Sequence, residues 1–260
     1  MVTRNLAVCR DSQSTSESPT RSKGFLTAGE TPMTTRMPVG LRANIVLLAI
    51  EGLVFLAAPV FAQAPPGAPP GGCTMPVSQR TTEVGCYLTA TEVLGALQGP
   101  QSWHLYNYPT RAAAETAKGP HGTVVESFGK VWLYTIADAN WRPAGGDRIA
   151  VIGPLPLAAG TDYTARYMEA VFTAGMNTPV HLHSGAEAWY LLSGAQCLET
   201  PDGITVLHAG ESGLVPQGPS MRLSSVGAEI RRSVFLVLHD TSQPWITYES
   251  DWKPKGSCPK

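Results

Sequence analysis

Between residues 81 and 252 the apolar positions fall in short runs, each closed by a turn signal. "SWHLYNY" (102–108) is aromatic and extended. "GTVVESFGKVWLYTIA" (122–137) predicts two strands broken at Phe128-Gly129, and "DRIAVIG" (147–153) predicts another. "YTARYMEAVFTAG" predicts a strand ending at Gly175, followed by the extended "PVHLH" and a turn at Ser184-Gly185. "EAWYLLSG", "AQCLET" and "ITVLHAG" come next, the last two divided by the turn signal "PDG". "SGLVPQGPSMRLSS" and "AEIRRSVFLVLHD" complete the series. The clearest helix is "PTRAAAETAKG" (109–119), with Pro109 before an alanine-rich run and Gly119 as its stop. Strands of this length with regular turns predict an all-β, antiparallel sandwich or barrel, with a short helix in an N-terminal extension.

The first quarter of the chain follows different rules. Residues 1–36 are rich in Ser, Thr and charge without apolar periodicity, which predicts disorder or an upstream segment ahead of the true start at Met33 or Met37. Residues 37–62 carry basic Arg42, with Arg36 just upstream, an apolar run from Ala43 to Ala58 and "VFA" ending at Ala62, the pattern of a signal peptide. A membrane anchor is the alternative, and Glu51 and Pro59 count against it. Residues 63–80 form a Pro/Gly-rich linker, residues 81–160 the extension of a barrel spanning 161–252, and residues 253–260 a tail. Export predicts a periplasmic or secreted protein with one or two disulfides among Cys73, Cys86, Cys197 and Cys258; three pairings are open. The net charge of −1 over 260 residues gives no electrostatic footprint for nucleic acid. After processing, no stable membrane insertion is expected.

The chemistry concentrates in "TPVHLHSGAEAWYLLSG" (178–194). Alternate strand residues share a face, so His181 and His183 project together, and a turn at Ser184-Gly185 brings Glu187 beside them. Two imidazoles and a carboxylate suit Fe(II), Mn(II) or Zn(II) with positions left open. Trp189 shares the parity of Glu187 and is a candidate wall of the cavity or a core-packing residue. His239, ending an apolar strand, is a candidate base or ligand at its mouth or a satisfied strand-end histidine. Tyr163 and Tyr167 read as packing ahead of a pocket lining, His208 as exposed, and Arg231-Arg232 as a solvated strand edge ahead of an anion site.

This stretch resembles the first motif of the cupin superfamily, whose fixed positions are filled here by Gly175, His181, His183, Glu187 and Gly194. Gly210, Pro216 and Gly218 match the second motif. The resemblance covers about residues 160–242 and implies a double-stranded antiparallel β-barrel with metal and ligand inside. It departs where the second motif has its histidine, the family's fourth ligand: here stands Met221, with Ser225 at the Asn position. Met221 is therefore a further cavity-lining candidate, and a thioether is a poor donor for Fe(II) or Mn(II). Two functions follow. One is a small-molecule metalloenzyme of oxygenase or isomerase type; the other is a non-catalytic binding or sensor module with a weak or absent metal site. The resemblance also implies homodimerisation through barrel edges.

Overall fold

The computed structural model describes residues 67–248 and 251–260. The expected upstream segment (1–36), signal peptide (37–62) and first linker residues lie outside the described residues. Among the described residues, no helix is long and apolar enough to cross a membrane.

The chain runs through β1 (Gly85–Ala96), β2 (Ser102–Tyr108), α1 (Arg111–Ala117), β3 (Gly122–Ser127), β4 (Lys130–Ala137) and β5 (Asp147–Ile152). It continues through β6 (Asp162–Phe172), β7 (His181–Leu182), β8 (Gly185–Ser193), β9 (Ala195–Thr200) and β10 (Gly203–His208). The last strands are β11 (Ser212–Val215), β12 (Arg222–Val226), β13 (Arg231–Asp240) and β14 (Thr247–Tyr248). All strand pairs are antiparallel. The helix is shorter than its alanine-rich pattern because Thr110 caps it: its backbone is extended and its hydroxyl accepts from the Ala113 N–H at 3.2 Å. The break at Phe128-Gly129 is a two-residue hairpin turn in which both residues have positive φ (52° and 70°).

A five-stranded sheet in the order β1-β6-β13-β8-β11 is the frame of the molecule. Its alternating side chains serve two cores. Tyr163, Ala165, Tyr167, Val234, Leu236 and Leu238 pack outward against Trp103, Leu105, Trp132 and Tyr134 of the four-stranded sheet β3-β4-β2-β5. Tyr134 and Tyr167 meet at 5.2 Å between ring centroids, so these tyrosines are packing residues. Met168, Ala170, Phe172, Trp189, Phe235 and Val237 point the other way, to Leu198 and Leu223 of the three-stranded sheet β10-β9-β12. That second core is the barrel interior. Burial of both faces explains why "VFLVL" in β13 is apolar without alternation.

The segment before residue 160 therefore splits: β1 lies in the barrel's own sheet, while β2 to β5 cover the sheet's outer face. The closest approach within the frame is at Gly185, where a Cβ would lie 1.8 Å from the Leu238 carbonyl oxygen. Any side chain there would push β8 away from β13.

Disulfides join Cys73 to Cys86 and Cys197 to Cys258. The first ties the Pro/Gly-rich segment to the start of β1, supported by the Cys73 N–H on the Cys86 carbonyl (3.0 Å) and the Cys86 N–H on the Pro70 carbonyl (2.8 Å). Residues expected to be only a linker thus pack on the barrel, although they carry few apolar side chains. The second disulfide holds the tail, where the Glu199 carboxylate accepts from the Gly256 N–H at 2.9 Å.

Candidate metal centre

His181 lies in β7 and His183 directly follows it, whereas Glu187 lies in β8 of the five-stranded sheet. The three side chains are 4%, 3% and 2% exposed. One donor atom from each lies within 4.8 Å of the others, and His183 Nε2 is 3.5 Å from Glu187 Oε2.

Backbone carbonyls orient both imidazoles. His181 Nδ1 sits 2.8 Å from the Pro179 oxygen, and His183 Nδ1 sits 2.7 Å from the Trp245 oxygen. A carbonyl can only accept, so each Nδ1 carries the proton and each Nε2 presents a lone pair. Glu187 Oε2 is buried without a hydrogen-bond partner. Two free imidazole lone pairs and an unpartnered carboxylate oxygen are the donor set a divalent transition ion requires. The residues present fit such an ion.

The electrostatics agree. Burial, then the neighbouring His183, lowers the pKa of His181 to about 4, so it is neutral at pH 7. Burial opposes ionisation of Glu187, but His183, His181 and Arg231 together outweigh it and hold its carboxyl below the ordinary value. His181 and Glu187 are thus in the protonation states that metal binding needs at neutral pH.

A cavity of about 50 Å³ opens beside these residues. Trp189 lies on its wall and in the apolar cluster beside it. Two other candidates lie off the wall. Met221 faces His181 across an antiparallel bridge, exchanging hydrogen bonds of 3.1 and 2.8 Å, so the two side chains share a face. It is nonetheless packed wholly into the apolar cluster with residues such as Leu223 and Val237, and is absent from the cavity wall. His239 sits at the end of β13, its Nδ1 2.8 Å from the Asp240 oxygen, and also lies off the wall. His208 is exposed.

The reading of Arg231 as a solvated edge is overturned. Arg231 is 2% exposed, lines the cavity and lays its guanidinium over the Phe172 ring at 4.1 Å. Its Nη1 donates to Gln196 Oε1. Burial pulls its pKa down to about 10, with Glu187 opposing, so it stays charged at pH 7. The signal was present in β13: a strand apolar on both faces has no solvated side for its first residue to take. Trp245 was also missed. It stacks on His183 at 5.7 Å and 19°, beneath Arg166 at 4.7 Å, and no local pattern announces that placement.

The antiparallel barrel carries the His-His-Glu cluster in its interior. No protein-family model and no curated protein matches the chain. Solved structures do. A cupin-like protein from Thermotoga maritima is 14% identical, over 33% of this chain and 65% of its own, with a TM-score of 0.31. A cupin domain from Bordetella pertussis is 25% identical, over 28% of this chain and 80% of its own, with a TM-score of 0.26. The DMSP lyase DddQ from Ruegeria pomeroyi is 15% identical, over 32% of this chain and 42% of its own, with a TM-score of 0.29. The chain spans less than two thirds of the length of the first and last of these.

Proposed function

We propose that this is an exported protein whose barrel binds Fe, Mn or Zn through Nε2 of His181, Nε2 of His183 and the carboxylate of Glu187, and acts with it on a small molecule. A bound ion would supply Lewis-acid polarisation of a substrate oxygen. The protein's part is to hold three donors fixed, keep both imidazoles in one tautomer and exclude bulk water. The observation carrying this reading is the pair of Nδ1–carbonyl contacts, which turn both Nε2 atoms toward an unpartnered Glu187 oxygen. Two disulfides support export, since such bonds persist in oxidising compartments.

Metal analysis of protein recovered from a bacterial periplasm tests the proposal, with chelator-competition titration giving the affinity. About one equivalent of divalent metal is expected, falling by more than about tenfold in affinity for His181→Ala. A wild-type protein that takes up no Fe, Mn or Zn overturns it.

A binding or sensor module is the second reading. It is favoured by Met221 standing opposite His181 where the second-motif histidine is expected. Among the described residues, the cavity wall also offers no carboxylate or imidazole beyond the three ligands.

A further inference from the structure

Two buried donors on the cavity wall have no partner. Arg231 Nε is one and Gln196 Nε2 is the other. Their orientation is fixed: Gln196 accepts from Arg231 Nη1 through Oε1, which only the amide oxygen can do, so Nε2 is the end left free. A buried donor without an acceptor is costly, and a charged one more so. The remaining wall is largely apolar, with Phe172, Leu223, Phe235 and Trp245.

Charge sharpens the picture. Without metal, Glu187 and Arg231 balance one another across the site. A divalent ion held by the two imidazoles and Glu187 takes that carboxylate as its own ligand and leaves the cavity with net positive charge. An anion beside the ion offsets part of that charge. The cavity of about 50 Å³ has room for about three or four water-sized groups, so the anion is small.

We propose that the substrate or ligand of this site is a small carboxylate of about four heavy atoms, with its carboxylate on Arg231 and Gln196 and its apolar remainder against Phe172 and Phe235. This rests on the metal reading above and adds the chemical class of what binds beside the ion. Metal and carboxylate bind with positive coupling, each raising the affinity for the other.

Zinc(II) and acetate serve as probes on the processed, disulfide-bonded protein, with acetamide as the neutral analogue of the same size. Calorimetry on zinc-loaded protein is expected to show acetate binding at least about tenfold tighter than acetamide, and benzoate excluded by size. Acetate should also raise zinc affinity, whereas acetamide should not. Arg231→Met is expected to weaken acetate binding by about tenfold or more while zinc binds at least as tightly as in the wild type, since a repelling cation is gone. Gln196→Glu, which keeps the guanidinium paired and so guards against loss of folding, is expected to weaken acetate to the same degree.

Zinc binding with acetate no tighter than acetamide overturns the carboxylate assignment and leaves the metal reading standing. Unchanged acetate affinity in both variants also overturns it, because the ion alone would then hold the anion. A protein that binds none of zinc, manganese or iron overturns both.

Discussion

At the scale of single residues the site was half legible. His181, His183 and Glu187 could be read because strand parity and a short turn bring them together whatever the rest of the barrel does. Arg231 and Gln196 could not, because their meeting depends on β13 and β9 crossing the interior from different sheets. Met221 is the position where a residue-scale test is sharpest. It shares a face with His181 but its thioether turns into the apolar cluster. Met221→His is expected to raise zinc affinity by on the order of 10- to 100-fold if the new imidazole swings to the metal. Chelator competition measures this. No gain in a folded variant would show that the apolar cluster holds position 221 away from the metal.

At the scale of elements, the alternating pattern and turn residues were enough for most strands, including the hairpin at Phe128-Gly129 and the turn before Gly203. Two things were hidden. The pairing of β1 with β6 joins segments far apart in sequence, and no local periodicity encodes it. "PVHLH" yields only a two-residue strand, because its partner is the equally short β14. That pairing makes residues 243–248 a strap over the site. The Pro244 carbonyl accepts from Ser184 Oγ at 2.8 Å, and the Trp245 carbonyl orients His183. The strap's backbone, more than its indole, therefore holds the ligand. Trp245→Ala keeps the carbonyl and removes the ring. It is expected to cost about 1–3 kcal/mol of stability, seen in urea denaturation, yet to lower zinc affinity far less than His183→Ala does. Equal losses in the two variants would show that stacking, not the carbonyl, sets the imidazole.

At the scale of the whole molecule, burying neutral histidine couples stability to acidity. The folded-state pKa of His181 is about 4 against an ordinary 6.5, so between these values the unfolded chain binds more protons than the native protein. Stability is full above about pH 6.5 and falls as pH drops toward 4, by at most about 1.4 kcal/mol per pH unit from this group. Glu187, held low, extends the loss in the same direction at still lower pH. Urea midpoints of the metal-free protein at pH 7.5, 6 and 5 are expected to decline in that order. A flat profile, or no difference from His181→Ala, would show that His181 ionises freely in the native state.

The two-sided core around β13 has a kinetic meaning. This strand has a neighbour on each edge and a packed layer on each face, so none of its amides meets solvent without opening the frame itself. In deuterated buffer its backbone should be the last to take up label, at rates set by global unfolding, while the Trp245 strap exchanges through local fluctuations. Arg231 would then belong to the slowest-exchanging part of the molecule and His183 to a faster one, so the two sides of a single cavity would open on separate clocks.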